Sequence, residues 1–184
     1  AVFALSNPVA SRSLEFLAER AVMPAMPIPD ESPGNDMLYS SGTTGRPKGI
    51  KPPLPEGGLA ETNGLTELGR GTYGMDEDTV FLSPAPLYHA APLRWCMSVQ
   101  KLGGTVVIME KFDAEAALSA IERYRVTHAQ WVPTHFIRML KLDAKLRTRY
   151  DLTSLRTTFH AAAPCPDEVK QAMLAWWGPI IHEF

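Results

Sequence analysis

From residue 79 onward, short β-branched or aromatic runs alternate with amphipathic stretches, and that alternation leaves few folds open to the chain. Thr79-Val80-Phe81-Leu82-Ser83, Thr105-Val106-Val107-Ile108-Met109 and Thr127 to Val132 read as strands, each bounded by proline or glycine. Between the first two, Leu93 to Leu102 reads as a helix closed by Gly103-Gly104. Asp113 is placed to cap a helix ending at Tyr124, with Ala116, Leu118 and Ile121 on one stripe. Ser154 to Pro164 reads as a strand followed by a small-residue turn, Asp167 to Trp177 as a helix, and the segment from Ile180 as a last strand. Strands separated by helices cannot pair as hairpins. They predict an α/β fold, a mostly parallel sheet flanked by helices on both faces.

The remaining stretches are less regular. Ser11 to Ala21 predicts an amphipathic helix, and Pro24, Pro27, Pro29 and Pro33 an extended lead-in. A helix is expected over Leu59 to Arg70, ended by Gly71 and Gly74. Thr134 to Arg149 predicts one long helix, with Phe136, Ile137, Leu140 and Ala144 on its apolar side. Its basic residues Arg138, Lys141, Lys145, Arg147 and Arg149 read as a solvated face, diluted by Asp143 and Asp151. Trp131, Phe136 and Met139 fit a core, with an acyl tunnel as the other use of such a stripe.

Composition excludes several classes. Eighteen basic against 20 acidic residues among 184, a net charge of −2, is no nucleic-acid footprint. The two cysteines, Cys96 and Cys165, make neither a disulfide framework nor a Cys-x-x-Cys zinc site, and they fit a reduced, cytoplasmic setting. No run of 18 apolar residues is present, so membrane contact is expected to be peripheral at most.

The chemistry concentrates in Tyr39-Ser40-Ser41-Gly42-Thr43-Thr44-Gly45-Arg46-Pro47-Lys48-Gly49. Met37, Leu38 and Tyr39 lead into it and read as the end of a buried strand. Gly42, Gly45 and Gly49 let backbone N–H groups approach a ligand closely, and the hydroxyls of Ser40, Ser41, Thr43 and Thr44 add donors. Lys48 adds a mobile point charge suited to phosphate oxygens. On composition alone the stretch is either an anion cradle or a flexible surface turn. It is not the common P-loop: the glycine spacing is wrong, and Pro47, Pro52, Pro53 and Pro55 prevent a helix from starting behind it.

The string from Tyr39 to Gly49 resembles the signature of the adenylate-forming superfamily of acyl- and aryl-CoA synthetases, luciferases and peptide-synthetase adenylation domains. Pro86-Leu87-Tyr88-His89 resembles its second signature, and Ala161-Ala162-Ala163-Pro164 its alanine-rich turn, with His160 standing where glycine is more usual. Lys51 to Pro55 departs from the family, whose members more often open a helix there. The resemblance implies that Ser40, Ser41, Gly42, Thr43, Thr44, Gly45, Lys48 and Gly49 handle ATP phosphates, and that His89 flanks the substrate carboxylate and α-phosphate. It implies that Ala161, Ala162, Ala163 and Pro164 border adenine and the acyl group.

The implied activity is AMP-forming acyl-CoA synthesis from a carboxylic acid, a fatty acid being favoured, with ATP, Mg²⁺ and coenzyme A. No metal-ligating residue is assigned. The alternatives are an adenylation domain for amino or aryl acids and a non-catalytic nucleotide-binding or docking module. The resemblance also implies part of a large N-terminal domain: a lead-in over 1–35, the phosphate loop over 36–58 and an α/β subdomain over 59–184. The C-terminal domain and the Thr-Glu motif would lie outside these residues, and the piece alone is expected to be inactive.

Overall fold

The computed structural model of the chain describes residues 2–4, 18–40 and 48–183. The chain divides into two compact units, one formed by Ala1–Pro8 with Gly64–Phe184 and the other by Val9–Asn63.

The larger unit is built on a six-stranded, wholly parallel sheet. Along the chain run β1 (Val2–Ala4), α1 (Gly64–Tyr73), β4 (Val80–Ser83), α2 (Ala90–Lys101), β5 (Thr105–Ile108), α3 (Ala114–Tyr124) and β6 (His128–Trp131). Then come α4 (Pro133–Leu140), α5 (Ala144–Arg147), β7 (Thr157–His160), α6 (Asp167–Trp177) and β8 (Ile181–Glu183). The strand order is β1-β5-β4-β6-β7-β8. This is the mostly parallel α/β arrangement that the alternation of runs predicts.

Side-chain alternation divides the core into two layers. Phe81, Val106 and Phe159 face one way and pack with Trp95, Cys96 and Val99 of α2 and with Tyr73 at the end of α1. Their neighbours Leu82, Val107 and Ala129, with Trp131, face the other way. They pack with Leu118 and Ile121 of α3, Phe136 and Met139 of α4, and Met173 of α6. Every residue of β6 is buried, as expected of a central strand covered on both faces. His128 is held there by its Nε2, which donates to the Tyr73 carbonyl at 2.8 Å and so pins α1 to the sheet. Burial pushes its imidazole below the usual histidine range.

The crossovers fix where a ligand site can form. β4 to β5 steps one way along the sheet, whereas β5 to β6 passes over β4 in the opposite direction. Right-handed crossovers therefore put α2 on one face and α3 on the other. The segments leaving the C-terminal ends of the adjacent strands β4 and β6 turn to opposite faces, and a crevice opens between such ends.

Several helical expectations shift. α2 starts at Ala90 rather than Leu93, because Pro92 falls in the first turn, where its missing N–H has no intrahelical partner to lose. α1 starts at Gly64, runs through Gly71, and stops only at Gly74, whose φ is +67°. The helix expected over Thr134 to Arg149 is two helices: α4 ends at Leu140, and Asp143 caps α5 through a 2.8 Å bond from the Lys145 N–H. That break leaves Ala144 exposed, and His135 and Met139 join Phe136 on the buried side. Trp131, Phe136 and Met139 are core residues, fully buried.

In the smaller unit, β2 (Leu38–Ser40) pairs antiparallel with β3 (Lys48–Ile50). The strand before the loop is not buried as its apolar run suggests: Tyr39 is 66% and Ile50 62% exposed. A two-stranded ribbon has two open faces, and none of residues 18–39 and 48–63 is buried. Of the helix expected over Ser11 to Ala21, a helical turn over 18–21 is described, and the rest lies outside the described residues.

Candidate active site

Each unit carries candidate residues of its own. In the smaller unit, β2 and β3 hold the two ends of the Gly/Ser/Thr stretch together: Ser40 pairs with Lys48, Tyr39 with Gly49 and Leu38 with Ile50. Paired antiparallel residues lie about 5 Å apart at Cα, so Lys48 stands at the mouth of the loop beside Ser40. Lys48 and Gly49 are exposed. Gly49 has a local reason to be glycine, since a Cβ there would come within 3.1 Å of the Tyr39 ring. Ser41, Gly42, Thr43, Thr44 and Gly45 lie outside the described residues.

In the larger unit, the other candidates lie at the C-terminal ends of the strands. After β4 the chain turns at Pro86, whose carbonyl accepts from the His89 N–H at 3.2 Å. His89 is then the N-cap of α2, with extended backbone and its carbonyl accepting from the Leu93 N–H. Its side chain makes no capping bond and lies exposed, its ring 4.5 Å from that of Tyr88. After β7, the Ala161 N–H donates to the Trp131 carbonyl at 3.3 Å, which ties the alanine turn to the end of β6. Ala162 has φ +76°, a left-handed conformation that costs a residue with a Cβ about 1–2 kcal/mol. Ala162, Ala163 and Pro164 are exposed, so this turn presents backbone and small side chains at the sheet edge. His89 and Ala161–Pro164 thus share one end of the sheet, the end where β4 and β6 diverge.

Two histidines near this edge serve the core. His135, in the first turn of α4, is buried and stacked on Phe112 with ring centroids 4.0 Å apart. Burial, with Arg138 nearby, pushes its imidazole down to about 4, so it stays neutral. His160 is completely buried at the end of β7, edge-on to Phe136, and neither ring nitrogen has a hydrogen-bond partner among the described residues. Burial holds it below the usual range as well. The strand alternation that turns Phe159 to one face turns His160 to the other, so the residue beside the alanine turn points into packing. Cys165 is half-buried beyond Pro164 and, like Cys96, is free.

No three histidine, cysteine or carboxylate side chains converge to hold a metal among the described residues. Among them too, no helix is long and apolar enough to cross a membrane. The smaller unit offers Lys48 paired with Ser40, and the larger unit offers a sheet end lined by small residues.

Residues 6–184 match the profile of the AMP-binding enzyme family. The chain belongs to that family. This AMP-binding chain is 35% identical over 137 residues to 4-coumarate-CoA ligase 1 of Narcissus pseudonarcissus, a match covering 73% of this chain and 24% of that protein. It is 38% identical over 139 residues to the feruloyl-CoA synthase of an Amycolatopsis species, covering 75% and 27%. It spans about a quarter of the length of the curated relatives it matches. Among solved structures it resembles the amide bond synthetase McbA from Marinactinospora thermotolerans, with a TM-score of 0.67 and 25% identity over 99% of this chain and 39% of that one. It also resembles the inhibitor-bound N-terminal domain of FACL13 from Mycobacterium tuberculosis, with a TM-score of 0.65 and 25% identity over 92% and 41%.

Proposed function

We propose that the chain is part of an AMP-forming acid–thiol ligase that activates a carboxylic acid with ATP and passes the acyl group to coenzyme A. The observation that carries this reading is the Tyr39–Gly49 string, closed by the Ser40–Lys48 pair, in a chain matched along almost its whole length by the AMP-binding family. In the first step a carboxylate oxygen attacks the α-phosphorus, giving an acyl-adenylate and pyrophosphate. In the second, the thiol sulfur attacks the acyl carbon, AMP leaves, and the thiol proton goes to solvent.

The attacking carboxylate is already an anion, so the first step needs no general base. It needs charge stabilisation on the leaving pyrophosphate, and positioning. We assign the first to Lys48 with the hydroxyls and N–H groups of Ser40, Ser41, Gly42, Thr43, Thr44, Gly45 and Gly49. His89, exposed at the strand end, is assigned to the carboxylate and α-phosphate, and Ala161–Pro164 to the adenine and acyl group. The described residues hold no ligand set for Mg²⁺, so none is assigned to it.

For the acid, the names of the relatives favour an aromatic propenoic acid of the coumarate and ferulate kind. A fatty acid is the second reading. It rests on the Ala-Ala-Pro-Cys-Pro and Trp-Trp-Gly-Pro segments and on resemblance to a structure named as a putative long-chain-fatty-acid CoA ligase, at 25% identity and a TM-score of 0.60.

ATP–pyrophosphate exchange by the uninterrupted protein tests this, with 4-coumarate, ferulate, octanoate, palmitate and several amino acids offered in turn. Acid-dependent exchange that falls on the order of 100-fold in Lys48→Ala is expected, the scale on which removing one transition-state charge donor acts. The 184 residues on their own are expected to give no exchange. Binding of ATP without exchange for any acid would replace the ligase with a nucleotide-binding module.

A further inference from the structure

At the opposite end of the sheet from His89 and Ala161–Pro164 lies a cavity of about 450 Å³. Leu155 and Ile180, which line it, stand just before β7 and β8, so it opens at the N-terminal ends of those strands. A four-residue strand is about 13 Å long, which separates the two places. The volume falls in the range of small-molecule sites.

Its walls are mostly apolar: the indoles of Trp176 and Trp177, whose ring centroids are 5.7 Å apart, with Leu152, Leu155 and Ile180. One full charge borders it. The Arg147 guanidinium lies over the Trp176 ring, 5.6 Å from its centroid. Among the described residues the buried Arg147 Nε–H has no hydrogen-bond partner, and neither has the Trp177 Nε1–H. The neighbouring carboxylates are already engaged. Asp151 accepts from Arg125 at 2.8 Å and from the Thr153 hydroxyl at 2.6 Å, and Glu115 accepts from the Tyr150 hydroxyl at 2.8 Å with Arg149 at 3.8 Å. Among the described residues no carboxylate pairs with Arg147.

A half-buried guanidinium bordering an apolar cavity, with no carboxylate paired to it among the described residues, calls for an anion with an apolar body. The two Nη groups of the guanidinium make an end-on fork that matches a carboxylate. The tilted indoles suit a flat ring. We propose that this cavity is a binding site for an aromatic monocarboxylate, distinct from the nucleotide site and independent of ATP.

The test is a tryptophan-fluorescence titration of the whole protein, without nucleotide, using 3-phenylpropanoate and its neutral amide. The acid is expected to bind at least tenfold more tightly than the amide. Arg147→Met should remove that preference while leaving amide binding unchanged. Arg147→Lys, which keeps the charge and the packing but loses the fork, should retain only part of it. Each variant is first checked for an unchanged melting temperature. Equal binding of acid and amide, or an acid preference that survives Arg147→Met, overturns the proposal.

Discussion

His135 shows how one residue's setting converts into a measurable property. Buried against Phe112, with its proton affinity lowered to about 4, it stays neutral in the folded chain while the unfolded chain protonates near the ordinary histidine value of about 6.5. The unfolded state therefore takes up a proton first as pH falls, and the stability that neutral His135 carries is complete above about 6.5 and lost on descending to about 4. The window is worth up to about 3 kcal/mol, each pKa unit being 1.36 kcal/mol. His128 and His160 are depressed by burial in the same direction. Denaturant melts of His135→Phe, which keeps the ring stack, should show a shallower loss between pH 6.5 and 4 than the parent. An unchanged slope would remove His135 as its source. Residue-level chemistry was unevenly legible in the sequence. Lys48, His89 and the alanine turn could be picked out because motif spacing marks them. The left-handed φ of Ala162 could not, since only the conformation of the turn imposes it on a residue with a Cβ.

At the scale of elements, strands and caps were the legible parts. Asp113 caps α3 as its position suggests, its side chain accepting from the Ala116 N–H at 2.8 Å, because a short carboxylate before an apolar stripe has one good use. The break between α4 and α5 was not legible, because Asp143 reads equally as a solvated helix residue or as a cap, and only the turn at Lys141–Leu142 decides. Gly103-Gly104 was read as a helix stop, and packing adds a second reason. A Cβ on Gly104 would stand 2.9 Å from the Thr79 carbonyl oxygen and 2.8 Å from Val99 Cγ1, so α2 and the entry to β4 approach too closely for any side chain. Backbone cannot yield as a side-chain tip does. Gly104→Ala should therefore cost about 1–3 kcal/mol, the usual range for overpacking. Gly71→Ala, in the last turn of α1 with open space around its Cβ position, should stabilise by up to roughly 0.5–1 kcal/mol. Thermal melts of the two variants check the contrast, and a stabilising Gly104→Ala would refute the packing argument.

At the scale of the whole molecule, alternation of runs and helices was enough to anticipate a parallel sheet, but not that β5 would lie outside β4. Strand order depends on which apolar faces find each other, and no local pattern reports that. The exposure of β2 and β3 was equally illegible, because it is a matter of what fails to cover them. Its energetic consequence follows from burial. Both hydrophobic clusters lie in the larger unit, whereas β2 and β3 hold each other by ladder bonds with open faces. Ladder bonds exposed to water open at low free energy, so these amides should exchange by local fluctuation while those of β4, β6 and β7 wait for global unfolding. In native-state hydrogen exchange under rising denaturant, the Leu38–Ser40 and Lys48–Ile50 amides should show small, denaturant-insensitive opening energies. Merging of their isotherms with those of β4 only near the melt would be consistent with this, and a single shared isotherm throughout would not. ATP supplies the second arm. If Lys48 and the loop it closes bind phosphates, saturating ATP should raise protection in β2 and β3 by RT ln(1 + [L]/Kd), about 2.7 kcal/mol at a hundredfold excess over Kd, provided that the open hairpin does not bind ATP. Protection that ATP leaves unmoved in the hairpin would place the nucleotide elsewhere on the chain.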